Sequence, residues 1–225
     1  MPENTSDIRK HKRVLNTLTG PIEKPVLIWL ASRQPGWMKP DILTGIGVFG
    51  AVVTFFGYAL SNYSPYFLWL ATLGFVINWY GDSLDGTLAR YRHIERPVYG
   101  FYIDHTTDAF SEVLLFLGLG LSPFLRFDIA CLALIGYLLL SVLVYVRTCV
   151  KGEFVISYGR LGPTEVRLIA ILANGLVFFI GNPSYQLSSY TISIYDVIGI
   201  VVIFLLTVIS IGTTFRQARQ LAALE

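Results

Sequence analysis

The chain of 225 residues is 54% hydrophobic and only 14% charged, whereas about a quarter of the residues of a soluble domain are charged; a disordered tail and a disulfide-stapled secreted scaffold are both excluded. Seventeen Lys and Arg against fifteen Asp and Glu leave a formal charge of +2, too small to point to nucleic acid as a partner. Cys131 and Cys149 lie eighteen residues apart in one apolar segment, about 27 Å along a helix, so they cannot bridge each other and read as small packing residues.

Residues 1–40 open with Arg9, Lys10, Lys12 and Arg13, and their apolar stretch from Pro25 to Ala31 is too short for a membrane span. They read as a cytoplasmic, interfacial amphipathic segment with Trp29 and Trp37 at headgroup depth. Residues 41–225 read as one membrane domain. Its apolar runs, of the roughly 20 residues that cross a bilayer core, extend from Ile42 to Leu60, Tyr66 to Arg90, Tyr99 to Leu121, Asp128 to Val150, Thr164 to Ile180 and Tyr195 to Phe215. The expected fold is an all-α integral membrane protein with six transmembrane helices after an N-terminal interfacial helix.

With the N-terminus in the cytoplasm, sixteen of the seventeen Lys and Arg fall on the inner side and only Arg126 outside, a bias that fixes the orientation with both termini inside. The outer connections, 61–65, 122–127 and 181–194, offer little acid or base chemistry. Function is therefore sought at the cytoplasmic end. No internal repeat, low-complexity tract or interdomain linker is evident.

Asp82, Asp85, Asp104, Asp108 and Glu112 lie in or beside the second and third spans, where an ionised carboxylate costs about 2.5–3.5 kcal/mol on insertion scales. At about 100° per residue, Asp85, Gly86 and Ala89 fall within about 60° of Asp82, on one face. Gly100, Asp104, Asp108 and Glu112 step by four and form a second stripe. The short connection from Arg90 to Tyr99 makes the two helices antiparallel neighbours, whose acidic faces can meet. An oxygen-only ligand set excludes a thiolate zinc site and suits Mg²⁺, Mn²⁺ or Ca²⁺; four carboxylates are enough for two ions, which typically clamp a phosphoryl group. Gly86 and Ala89 leave that face without bulk, open to a base or a pyrophosphate, and Arg90 can reach phosphate. Intramembrane carboxylates also mark ion pathways, so a cation transporter is a rival from another class, although no inverted repeat is visible. A structural subunit with buried ion pairs lacks the intramembrane cations it would need.

The run Asp82-Ser-Leu-Asp85-Gly86-Thr-Leu-Ala89-Arg90, then nine residues, Gly100, three, Asp104, three and Asp108 resembles the signature of the CDP-alcohol phosphotransferases, with all eight fixed positions filled. The resemblance implies six transmembrane helices, a homodimer, and a polar cavity open to the cytoplasm that holds one or two Mg²⁺ or Mn²⁺ ions. It implies Asp82, Asp85 and Asp104 as metal ligands, and Asp108 as the general base that also touches the second metal. Gly86, Ala89, Arg90 and Gly100 would bind the CDP-alcohol. The implied reaction transfers a substituted phosphate from a CDP-alcohol, above all CDP-diacylglycerol, to an acceptor alcohol with release of CMP, in phospholipid synthesis in the cytoplasmic membrane of a prokaryote. The alternative is a small CDP-alcohol, CDP-choline or CDP-ethanolamine, meeting a lipid alcohol.

Around this core the residues allow two readings each. Glu112 either orients the acceptor or hydrogen-bonds a neighbouring helix. His105 follows Asp104 by one residue, points about 100° from the stripe and reads as a packing residue, while His93 reads as solvated. Arg147 and Lys151 close the fourth span, where anchoring suits them, yet with Arg167 they also suit a phosphorylated acceptor. Arg167 sits in the first turn of the fifth span, where the helix dipole disfavours a cation, and so needs either Glu165 or a substrate phosphate nearby. Pro163 and Glu165 are ordinary helix-start residues. The stretch Phe154 to Gly162 is a flap or an interfacial loop, and Trp69, Trp79, Tyr185, Tyr190 and Tyr195 read as interface belts and packing.

Overall fold

A computed structural model describes residues 12–14, 18–151, 153–155, 162–187 and 190–223. Arg9, Lys10, Arg160 and most of the stretch Phe154 to Gly162 lie outside the described residues, as does the side chain of Lys151. A short helix α1 (Gly20–Ser32) precedes six long ones, α2 (Pro40–Leu60), α3 (Phe67–Tyr91), α4 (Pro97–Gly120), α5 (Phe127–Lys151), α6 (Pro163–Ile180) and α7 (Ile194–Ala222). Four of them, α2, α5, α6 and α7, are long and apolar enough to cross a membrane. The polar and acidic residues of α3 and α4 set those two apart from the rest. Two small strand pairs depart from the all-α expectation. Strand β1 (Lys12–Val14) pairs in parallel with β2 (Glu153–Val155), and β3 (Ser184–Leu187) pairs with β4 (Tyr190–Ser193) as an antiparallel hairpin between α6 and α7.

The helix starts are written in the sequence. Pro40, Pro97 and Pro163 each occupy the first helical position, where a missing N–H costs nothing and the fixed φ is already helical. Ser193 and Asp196 cap α7 reciprocally, Asp196 N donating to Ser193 Oγ at 3.0 Å and Ser193 N to Asp196 Oδ2 at 2.8 Å. The end of α3 is less expected. His93 N bonds Arg90 O at 3.2 Å and Ile94 N bonds Ala89 O at 3.0 Å, the double bond of a Schellman cap. The left-handed position of that cap belongs to His93, with φ 54°, where a glycine would avoid a cost of roughly 1–2 kcal/mol. His93 itself is exposed, and the cap turns the chain out of the helix directly after Arg90.

Helices α2 and α3 pack almost backbone to backbone. A Cβ built on Gly50 would strike the Asn78 backbone, and one on Gly81 would strike that of Gly47; small residues permit such an approach where no aqueous hydrophobic force joins helices. Buried Asn78 locks the pair by donating from Nδ2 to Gly47 O at 2.9 Å. At the end of this seam nearest α1, Leu27 and Ala31 of α1 join Leu43, Leu84 and Leu88 in one apolar cluster. Helix α4 lies against α2, α5 against α4, α7 against α5 and α6 against α3. Much of α7 faces outward, with Val197, Ile200, Val201, Phe204, Leu205 and Val208 each about half exposed or more, as a lipid-facing helix requires. Cys131 and Cys149 are free thiols.

Candidate active site

The tight α2–α3 seam brings Thr44 opposite Asp85. Thr44 Oγ1 donates to Asp85 Oδ2 at 2.6 Å, Gly86 N donates to Asp85 Oδ1 at 2.5 Å, and the carboxylate is buried. One turn earlier on α3, Asp82 lines a cavity together with Thr44, Gly47 and Asn78 on its own side and Thr107, Asp108 and Ser111 of α4 on the other. The two acidic faces therefore meet. Asp85 interacts electrostatically with Asp82 and Asp104, and Asp108 with Asp82, Asp104 and Glu112.

Asp104 and Asp108 form the open side of this group, their side chains 29% and 37% exposed. His105 stands closer to them than the helical wheel indicates. Its Nδ1 lies 3.9 Å from both Asp104 Oδ2 and Asp108 Oδ2, and the ring rests edge-on against Phe101 at 4.2 Å between centroids, with Tyr145 of α5 at 5.4 Å. The wheel gives the direction of Cβ only; rotation about the side-chain bonds swings Nδ1 back over the acidic stripe.

Arg167 is answered by Asp82 and not by Glu165. Its Nη2 donates to Asp82 Oδ2 at 2.5 Å, with the two side chains 13% and 21% exposed. Glu165 is engaged elsewhere. It accepts from Gly162 N at 2.8 Å, and from Thr19 N and Thr19 Oγ1 at 2.8 Å each, so it caps α6 and ties it to the start of α1. Glu112 interacts electrostatically with Tyr137 of α5. Trp79 does more than pack, since its indole Nε1 donates to Glu23 Oε1 at 2.7 Å.

Gly86 lies beneath the Arg90 guanidinium: an added Cβ would meet Arg90 Nη1 at 3.2 Å. Arg90 Nη2 donates to Thr87 Oγ1 at 3.2 Å. Ala89 is half-buried beside them. At Gly100 an added Cβ would meet nothing within 4 Å, so the first turn of α4 borders open space. Arg147 is half-buried on α5, one position before Thr148, whose hydroxyl bonds Val144 O. Sequence reasoning missed Thr44, Asn78 and Arg92. Asn78 had a signal, four residues before Asp82 and on the same face. Arg92 donates to Met38 O at 2.6 Å, Gln34 O at 2.8 Å and Pro35 O at 2.9 Å, fixing the α1–α2 turn beneath α3, and nothing in the local sequence marks it.

The donor set fits a hard divalent cation. Ligand atoms of Asp104, His105 and Asp108 lie within 4.8 Å of one another, and two ligands facing each other across such an ion at about 2.0–2.6 Å each stand about 4–5 Å apart. Asp82 lines the cavity opposite Asp108, and Asp85 interacts electrostatically with Asp82 and Asp104. Asp82 is shared with Arg167, which supplies one positive charge where an ion would supply two.

A family model described as CDP-alcohol phosphatidyltransferase matches residues 37–210, a range that contains α2 to α6 and every aspartate described above. Cholinephosphotransferase 1 of Mus musculus is 28% identical over 181 residues, which cover 75% of this chain and 43% of that protein. Cholinephosphotransferase 1 of Danio rerio is likewise 28% identical, over 71% of this chain and 43% of its own length. This chain thus spans less than half the length of those two relatives. The archaetidylinositol phosphate synthase of Methanothermobacter thermautotrophicus is 26% identical over 83% of this chain and 86% of its own.

Proposed function

The chain belongs to the CDP-alcohol phosphatidyltransferase family, and from that premise we propose that it transfers a phosphatidyl-type group from a CDP-alcohol, CDP-diacylglycerol above all, to an acceptor alcohol with release of CMP. The observation that carries this reading is the meeting of the α3 and α4 carboxylates around one cavity. Asp108 accepts the proton of the acceptor hydroxyl, and the resulting oxygen attacks the β-phosphorus of the donor. A new P–O bond forms to the acceptor, the bond from that phosphorus to the bridging oxygen breaks, and CMP leaves with the bridging oxygen's electrons. Asp82, Asp85, Asp104 and Asp108 hold Mg²⁺ or Mn²⁺, as one or two ions, which when bound neutralise the pyrophosphate oxygens.

The remaining assignments belong to the same proposal. Gly86 and Ala89 let the nucleotide approach α3, Arg90 reaches its phosphate, and Gly100 leaves room at the start of α4. Arg147, Lys151 and Arg167 supply the positive charge that an acceptor carrying phosphate would need. The match over most of a protein named for a phosphorylated inositol lipid favours that acceptor class. The second reading, CDP-choline or CDP-ethanolamine meeting a lipid alcohol, draws its support from the similarity to the two cholinephosphotransferases.

Six spans, with α3 and α4 crossing beside the four more apolar helices, rest on the six apolar runs of the sequence, and their orientation, with α1 on the inner surface, on the sixteen-to-one distribution of Lys and Arg. In this reading the cavity, residues 1–40 and both termini lie on the cytoplasmic side of a prokaryotic inner membrane, and residues 41–225 form the catalytic domain of a homodimer. The experiment is to incubate purified protein with Mg²⁺ or Mn²⁺, labelled CDP-diacylglycerol and a panel of alcohols, and to follow CMP. Metal-dependent release with one phosphorylated alcohol supports the first reading. Release only from CDP-choline or CDP-ethanolamine with a lipid alcohol establishes the second.

A further inference from the structure

We infer that α1 belongs to the catalytic apparatus, and that Glu23 is a positioning residue which sets α3 against α6 at the level of the Asp82–Arg167 pair. The inference rests on the transferase reading above and gives a role to a helix outside the residues that carry the chemistry. A single oxygen, Glu23 Oε1, accepts from Trp79 Nε1 of α3 at 2.7 Å and from Thr164 Oγ1 of α6 at 2.7 Å. Trp79 stands three residues before Asp82 and Thr164 three residues before Arg167. Less than a helical turn therefore separates this bridge from the ion pair on each helix.

The bridge is built to hold a distance. Hydrogen bonds to an ionised carboxylate are roughly twice as strong as neutral ones, and two donors from different helices converging on one oxygen leave the helices little freedom to slide. Glu23, Trp79 and Thr164 are all half-buried, which limits competition from water. The first turn of α1 is fastened independently, because Thr19 N and Oγ1 both donate to Glu165 Oε1. Arg167 needs the support: among the described residues its Nη1 is buried and has no hydrogen-bond partner, so its one direct tie is to Asp82, with Asp108 and then Glu23 acting on it through space. If α6 moved away from α3, Asp82 would follow Arg167 or lose it, and in either case the carboxylate would change its aim into the cavity. Glu23 thus acts through Asp82 and Arg167 and touches no reacting atom.

A carboxylate in the first turn of a helix is also an ordinary stabilising feature, and the test separates the two roles. Mn²⁺ binding to the purified full-length chain in detergent is measured by electron paramagnetic resonance, beside the melting temperature and CMP release. Glu23→Ala removes both hydrogen bonds and should weaken Mn²⁺ binding about tenfold, the scale of losing a partner that orients a metal ligand. Glu23→Gln keeps an oxygen acceptor for both donors and should bind Mn²⁺ within about twofold of the parent. Should the Ala variant fail to fold, Trp79→Phe, which keeps the ring and removes one donor, should still weaken Mn²⁺ binding about threefold. A lower melting temperature with unchanged Mn²⁺ affinity in Glu23→Ala and Trp79→Phe overturns the inference, as does failure of Gln to restore binding. If the unmodified chain binds Mn²⁺ and releases CMP while these variants match it, only the inference fails; a chain that does neither overturns the transferase reading as well.

Discussion

Arg167 and Asp82, eighty-five residues apart in sequence, meet at 2.5 Å across the α3–α6 interface. The pair joins a residue implied as a metal ligand to one suited to an acceptor phosphate, so in the proposed function substrate binding and metal binding would share a charge. A cation in the first turn of α6 works against the helix dipole, and Asp82 offsets that cost.

Removing Arg167 should separate its two uses. Arg167→Ala is expected to raise the acceptor KM about tenfold or more, the loss of one charge-assisted contact of about 1.5–3 kcal/mol, and, because Asp82 loses its partner, to raise the CDP-alcohol KM by a smaller factor. Steady-state kinetics with each substrate varied in turn provide the check. Equal rises in both constants would reduce Arg167 to a structural anchor.

Asp108→Asn preserves shape and hydrogen bonding but removes the proton acceptor. Its turnover should fall about 10²- to 10⁴-fold, the range of general-base contributions, with folding intact and much of the CDP-alcohol binding retained. Parental turnover in this variant would refute the assignment of the base.

Thr44 serves the buried Asp85 carboxylate from the facing helix at 2.6 Å. Thr44→Val leaves that oxygen without its donor, which should destabilise the fold by about 1–3 kcal/mol, read as a fall in melting temperature. Thr44→Ser, which keeps the hydroxyl, should recover most of it. A Val variant as stable as the Ser variant would show that the bond contributes little.

Two glycines should behave oppositely. At Gly81 an added Cβ would run into the Gly47 backbone, so Gly81→Ala should cost about 1–3 kcal/mol or more by overpacking and broaden the size-exclusion profile. At Gly100 nothing lies within 4 Å; Gly100→Ala should melt like the parent and raise the CDP-alcohol KM. A stable Gly81→Ala would contradict the close α2–α3 seam, and an unchanged KM in Gly100→Ala would remove that glycine from the nucleotide site.

What could be read from the sequence was whatever is local. Helix starts at Pro40, Pro97 and Pro163, the apolar runs between them, and the two acidic stripes with their Gly86 and Gly100 gaps depend on residues within a few turns of one another. The tertiary pairings were hidden. Arg167 invited Glu165 because the two share a turn, yet Glu165 is consumed by Gly162 and Thr19, and the partner proved to be Asp82 on another helix. Trp79 read as an interface aromatic because its N–H says nothing of Glu23. His93 in a left-handed cap and the 184–193 hairpin escaped because neither carries the glycine that usually marks such a turn.

Gathering of divalent cations by the carboxylates of α3 and α4 is the central claim, and Mn²⁺ titration of the detergent-purified chain against Asp85→Asn/Asp104→Asn tests it directly. Saturable binding to the parent that disappears in the double variant, with both proteins equally folded, is the predicted result. Equal Mn²⁺ binding by the two would contradict the assignment of this cavity as the metal site.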